Sequence, residues 1–133
     1  ISPICLRSFN GRNDAGQTAF VTGYGWDQTR TITGIKKHVK LTIDSEERCK
    51  RFYEDQMNVA KASRYFCATG SKDNAPSGYD YPLYVKVDGK WFLRGMGSMH
   101  RFNNGTLNTE KPMLYEDSSM FVGWIEEQAK NSN

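Results

Sequence analysis

The chain is 133 residues long, and 18 Lys and Arg against 15 Asp and Glu leave a formal charge of +3. That length suits one domain, spanning 1–133, that buries its own core; the faint positive charge singles out no class of partner, and an aromatic content of 13% argues against disorder. No apolar run nears the roughly 20 residues of a membrane-spanning helix, no repeat appears, and the charges are dispersed with no aromatic RNA-binding motif, so neither nucleic acid nor membrane insertion is expected.

Residues 1–17 combine two apolar positions with Gly, Asn and Asp and read as an extended lead-in followed by a loop. No secretory h-region opens the chain, so any signal peptide is expected to have been removed. Ala19-Phe20-Val21-Thr22 reads as a strand, stopped by Gly23-Tyr24-Gly25. From Gly34 to Asp44 the pattern alternates: Val39, Leu41 and Ile43 on one face, His38, Lys40, Thr42 and Asp44 on the other, a half-buried strand. Asp44-Ser45-Glu46-Glu47 predicts a helix start, with Asp44 as the cap and Glu47 reaching back. That helix carries Cys49, Phe52 and Tyr53 inward and runs towards Asn58. Tyr65 to Ala68 predicts another short strand, and the polar stretch from Ser71 to Tyr81 a loop.

Leu83 to Val87 and Trp91 to Leu93 flank Asp88-Gly89, a strong hairpin signal, because both turn positions need positive φ. Met96 to Met99 continues the second strand, and a loop follows from Arg101 to Pro112. The C-terminal segment predicts a helix capped by Asp117 or Ser118. Phe121, Trp124, Ile125 and Gln128 form one stripe, and Glu126, Glu127 and Lys130 face water. Gly123 inside it costs about 1 kcal/mol relative to Ala, and Asn131-Ser132-Asn133 is expected to fray. Five to seven short strands with two helices predict an all-β fold, a closed or nearly closed antiparallel barrel that leaves no free edges.

The three cysteines, Cys5, Cys49 and Cys67, allow at most one disulfide within the chain. With no CxxC or HxxxH cluster and only His38 and His100 as imidazoles, neither a metal site nor a cofactor is expected. The leftover thiol implies a bond to another chain if the protein is secreted, and a free thiol if it is cytosolic. The glycosylation sequon Asn104-Gly105-Thr106 favours the secreted, extracellular reading.

Six segments, in order, resemble the C-terminal half of a chymotrypsin-like (trypsin-like) serine protease. Pro3-Ile4-Cys5-Leu6 resembles the PxCL linker into the second barrel, and Val21-Thr22-Gly23-Tyr24-Gly25 the VxGWG strand end. Cys49 with Phe66-Cys67-Ala68-Thr69-Gly70 resembles the helix–loop disulfide and the FCAG segment. Tyr81-Pro82-Leu83 stands where GPL closes GDSGGPL. Trp91-Phe92-Leu93-Arg94-Gly95-Met96-Gly97-Ser98 is similar to WxLxGIxS, and Pro112 to Tyr115 with Trp124-Ile125 is similar to PGVYTxV…WI. The resemblance implies the six-stranded second barrel of a trypsin-like fold with a short mid-chain helix and a C-terminal helix. It also implies that the His and Asp of the catalytic triad, supplied by the first barrel, lie outside these residues.

The same alignment implies that the chemistry is lost. Acyl transfer needs a hydroxyl activated by an imidazole and backbone donors for the oxyanion. Counting back from Pro82-Leu83, Gly-Asp-Ser-Gly-Gly falls on Ser77, Gly78, Tyr79, Asp80 and Tyr81, so a tyrosine stands in the nucleophile's place and a glycine in that of the aspartate before it. Tyr79 and Tyr81 around Asp80 read either as a recognition patch or as plugs in the vacated cleft. Asp73 falls at the base of the specificity pocket, as a solvated loop acid or a remnant ligand site. Ser98-Met99-His100 replaces the Ser-Trp-Gly wall and narrows the pocket. The resemblance further implies a Cys49–Cys67 disulfide and gives Cys5 the position that bonds an upstream chain. The expectation is therefore a secreted serine protease homologue, not an enzyme, acting as a protein-binding or regulatory module. The alternative is one chain of a larger two-chain (pseudo)protease that packs against an N-terminal protease-like barrel joined through Cys5.

Overall fold

The computed structural model describes residues 3–9, 14–23, 34, 37–53, 64–70, 82–99, 102–103, 106–107 and 111–132. Six strands close into an antiparallel barrel: β1 (Thr18–Gly23), β2 (Lys37–Ile43), β3 (Tyr65–Thr69), β8 (Met113–Asp117), β5 (Lys90–Met99) and β4 (Pro82–Val87), in that order around the wall, with β4 returning to β1. The apolar face read in β2 points inward from this wall, and β1 alternates in the same way. Ala19 stands opposite Leu41 and Val21 opposite Val39, all four buried. Ile43, Phe66, Ala68, Leu83, Val85, Met113 and Tyr115 complete the interior, and Phe9 from the lead-in joins them.

The β4–β5 hairpin turns at Asp88 (φ 51°) and Gly89 (φ 78°), the two positive φ values that the Asp-Gly pair predicts. Gly95 on β5 is required by proximity: a Cβ there would lie 2.6 Å from the Phe66 ring and 2.9 Å from the Glu116 carbonyl oxygen.

Helix α1 (Glu46–Phe52) covers the outer wall of β3 and β8. Its N-cap is Ser45, whose hydroxyl accepts from the Arg48 N–H at 3.2 Å, and not Asp44 as expected. The Asp44 carboxylate is engaged elsewhere: it accepts from the Thr69 hydroxyl at 2.6 Å, while the Asp44 N–H donates to the Cys67 carbonyl. It thus ties the end of β2 to β3. Acidic residues in the first turn and basic ones in the last complement the helix dipole, and Glu46–Lys50 and Glu47–Arg51 pair at 3.0 Å. The Cys49–Cys67 disulfide fastens the helix to β3, and Cys49, Cys67, Tyr53 and Leu114 form a second buried cluster. The Tyr53 hydroxyl donates to the Pro112 carbonyl. Helix α1 closes at Tyr53; the expected extension towards Asn58 lies outside the described residues.

The C-terminal region departs from expectation in four ways. The stretch from Arg101 to Pro112, expected as a loop, contains two short strands, β6 (Phe102–Asn103) and β7 (Thr106–Leu107), paired with each other. Residues 113–117 form barrel strand β8, which shows no alternation because both its faces are covered: Met113 and Tyr115 lie in the barrel interior, Leu114 in the disulfide cluster. Asp117 caps a 3₁₀ turn, Ser118–Met120, by accepting from the Ser119 N–H, and the helix proper, α2 (Val122–Asn131), starts later, with no side-chain cap. Finally, α2 runs through Asn131, where fraying was expected, and the Ser132 hydroxyl closes it on the Ala129 carbonyl at 3.1 Å. The stripe of Phe121, Trp124 and Ile125 buries none of its helical residues, and Trp124 is 64% exposed.

Candidate functional site

Two regions carry the candidate chemistry, one at each end of the β4–β5 pair. The first is the cleft end implied by the resemblance. Tyr79, its neighbours Ser77, Gly78, Asp80 and Tyr81, the pocket residues Asp73 and His100, and Asn104 all lie outside the described residues. Their anchors do not. Pro82, two residues after Asp80, opens β4 opposite Met96, and Leu83 stands opposite Gly95. Ser98 sits at a register irregularity between Gly97, opposite Tyr115, and Met99, opposite Leu114. The register therefore brings the strand end that follows Tyr79 beside the strand end that carries Ser98 and Met99.

The second region lies at the hairpin end. Cys5 joins β5 through two backbone bonds: its N–H donates to the Trp91 carbonyl at 3.0 Å, and its carbonyl accepts from the Leu93 N–H at 3.2 Å. The thiol is free and half-buried. Beside it, a cleft of about 580 Å³ opens on the outside of β1, β2, β4 and β5. Strand geometry builds it. Ala19 and Val21 point inward, so Phe20 and Thr22 point outward; Phe20 stands opposite Tyr84, Thr22 opposite His38, and Lys86 opposite Trp91. Trp91 and Ser98 are seven positions apart on β5, so the two regions are separated by roughly 20 Å along the strand.

Between them, inside the barrel, lies a charged group that the motif reading passed over. Arg94 is 0% exposed. Its Nε donates to the Asp14 carboxylate at 2.7 Å, and its Nη1 lies 3.1 Å from the Asp117 carboxylate, a close charge contact outside hydrogen-bond alignment. The guanidinium also stacks over Phe66 at 4.1 Å and Phe9 at 4.7 Å. Burial of a cation is sustained here by two carboxylates and two aromatic faces. The signal was present in the sequence: counting by twos from Phe92 places Arg94 on the inward face of β5. Close by, burial holds the Tyr115 phenol well above its ordinary pKa, with the neighbouring Tyr53 adding to the effect. Among the described residues, no group of three or more His, Cys, Asp or Glu side chains converges as a metal site, and no helix is long and apolar enough to cross a membrane.

The closed six-stranded antiparallel barrel with its two helices matches a trypsin-like barrel, and similarity to known proteins supports a relationship to the trypsin-like serine proteases. The chain is 28% identical over 132 residues to CLIP domain-containing serine protease B4 of Anopheles gambiae, covering 96% of this chain and 36% of that protein. It is also 28% identical over 129 residues to coagulation factor XI of Bos taurus, covering 96% of this chain and 20% of that protein. The chain thus spans about a third of the mosquito relative and a fifth of the bovine one. No family model matches it.

Proposed function

We propose that this chain is a secreted serine protease homologue that binds protein and does not cleave it, serving as a regulatory or interaction module. The observation that carries the reading is Tyr79, which occupies the nucleophile's place in the count back from Pro82-Leu83. A phenol there is bulkier than a serine hydroxyl, and His38 is committed elsewhere, to the outer cleft at the hairpin end. A phenol without an activating base is a poor nucleophile, and the resemblance places the catalytic His and Asp in a first barrel outside these residues. Gly78 in place of the aspartate removes the carboxylate that would receive an activated N-terminus.

Treatment of the protein with a fluorophosphonate probe, followed by mass spectrometry, tests this: no residue is labelled. An adduct on Ser77 that disappears in Ser77→Ala overturns it. Non-reducing mass spectrometry of the protein from its natural source separates this reading from a two-chain one: no polypeptide is expected on Cys5 here, and added mass at Cys5 favours a chain joined to a companion.

A second reading has its own observation. Trp124 and Met120 are 64% and 52% exposed, and α2 buries none of its residues. That favours a chain of a larger two-chain (pseudo)protease whose role is packing against an N-terminal barrel. Light scattering of the purified protein separates the two: the binding module is a monomer, the packing chain is recovered with its companion.

A further inference from the structure

We propose that the cleft outside β1, β2, β4 and β5 is a docking groove for an acidic peptide segment of a protein partner, one carrying a large apolar side chain flanked by carboxylates. The proposal rests on the reading that this chain binds protein, and it names the chemistry of what is bound.

The lining of the cleft is apolar. Outward positions of a barrel wall normally carry polar side chains, yet here Ile4, Phe20, Tyr84 and Trp91 gather around one concavity. Trp91 is 42% exposed and Ile4 39%. The rings brace one another before any ligand arrives. Phe20 meets Trp91 edge to face with centroids 5.2 Å apart, and meets His38 at 6.0 Å. Side chains already held by such contacts lose little rotamer freedom on binding, which is what favours an aromatic pocket as an anchor site. The volume, about 580 Å³, is in the range that receives a large side chain with its flanking backbone.

The charge lies at the rim. Among the described residues none of the lining is acidic, and Lys86 places a cation there. Lys86 Nζ lies 5.6 Å from the centre of the Trp91 ring, and among the described residues it makes that cation–π contact and no ion pair. Lys40, exposed on β2, stands opposite Phe20 and adds a further positive charge to the same face. An apolar side chain on the Phe20–Trp91 floor therefore brings its neighbouring residues to Lys86, where a carboxylate is attracted and a cation repelled. A purely apolar peptide satisfies the floor and leaves the ammonium without a counter-ion. A sulfated glycan or nucleic acid satisfies the ammonium and offers the floor no matching apolar side chain.

The test uses the Cys5→Ser protein, so that only non-covalent binding is read. Fluorescence anisotropy follows a fluorescein-labelled acetyl-Gly-Glu-Glu-Phe-Glu-Gly-amide. Saturable binding is expected, weakened about tenfold or more by Lys86→Glu, by Trp91→Ala, and by Gln in place of the three Glu of the peptide. Lys130→Glu, on the exposed face of α2, leaves it unchanged. Should Trp91→Ala fail to fold, Lys86→Glu and the Gln peptide still decide. Three outcomes overturn the proposal: no saturable binding, Lys86→Glu binding as tightly as the parent, or a heparin hexasaccharide binding Lys86-dependently in the peptide's stead. A labelled serine in the fluorophosphonate experiment refutes the non-catalytic reading and leaves this titration as it stands, so the two failures are distinguishable.

Discussion

The two helices of this chain share one barrel and are held to it by opposite means. Helix α1 has a serine N-cap, ion pairs between successive turns, a disulfide to β3, and two buried residues, Cys49 at its middle and Tyr53 at its C-cap. Helix α2 has no side-chain cap and no buried residue, and it exposes a tryptophan. Yet α2 is the longer, with ten residues against seven. A helix of either length is marginal alone in water, so each depends on what fixes its end. For α1 that is a covalent bond and an apolar cluster; for α2 it is the 3₁₀ turn before it, held by Asp117. That turn is tied to the lead-in, because the Phe9 N–H donates to the Ser119 hydroxyl at 2.6 Å, and to the barrel through Arg94.

The largest effect on α2 is expected at Arg94. Arg94→Ala leaves the carboxylates of Asp14 and Asp117 facing an interior without their cation and opens a void between Phe9 and Phe66. Removing one partner of a buried charge cluster costs about 3–5 kcal/mol. Urea unfolding is expected to report a loss of that size, with α2 amides losing hydrogen-exchange protection before those of α1. Arg94→Met, which fills the void but leaves both carboxylates, recovers only part of it. A loss under about 1 kcal/mol would mean that the network does not anchor the turn.

On the other side, replacing Cys49 and Cys67 together, by Ala and Ser, is expected to cost about 3 kcal/mol in the chain-entropy description for a loop with 18 residues of separation. Here the order reverses: α1 loses protection first, and α2 is untouched. A variant in which both helices loosen together shows instead that the helices share one cooperative unit.

A smaller and slower effect reports on the barrel wall beneath α1. The folded state holds the Tyr115 phenol above the ordinary tyrosine value of 10.0, by burial and by the nearby Tyr53. The neutral form is favoured on folding, so this stabilisation is complete below about pH 10 and is lost as the pH rises further, by about 1.4 kcal/mol per pH unit for one proton. Urea midpoints measured between about pH 9 and pH 11.5 are expected to fall more steeply for the parent than for Tyr115→Phe. Equal slopes would place the alkaline loss in another group.

How much of this was legible in the sequence differs by feature. Strict alternation exposed β2, because one of its faces is wet, and Asp88-Gly89 located the hairpin, because its backbone demands residues tolerant of positive φ. Strand β8 escaped the residue pattern because Met113, Leu114 and Tyr115 are buried on both faces and so do not alternate. Asp44 and Asp117 were both read as helix caps from local spacing; Asp44 is drawn instead to Thr69, while Asp117 caps a 3₁₀ turn and not α2, and its carboxylate also faces Arg94. The disulfide followed from the family resemblance, not from spacing. Of the candidate site, the Tyr79 region lies outside the described residues, whereas the aromatic cleft was missed because its members come from the lead-in and four strands and meet only once the barrel closes.

The smallest expected effect is the most telling about α2. A tryptophan in an amphipathic stripe is ordinarily a core anchor, and replacing one costs about 3–5 kcal/mol. Trp124 is 64% exposed, so little apolar area returns to water when it is changed, and Trp124→Gln in the isolated chain is expected to stay within about 0.5 kcal/mol of the parent. Phe121 and Ile125 are half-buried while Trp124 is left open among the described residues: periodicity determines which side of a helix is apolar, and only tertiary structure determines what covers it. If Trp124→Gln costs about 2 kcal/mol or more, on the scale of buried side chains, the helix packs on its own barrel and the second reading, of a chain built to lie against another, loses its support. If the substitution is silent in the isolated chain but weakens recovery with a companion polypeptide from the natural source, the exposed tryptophan belongs to that contact.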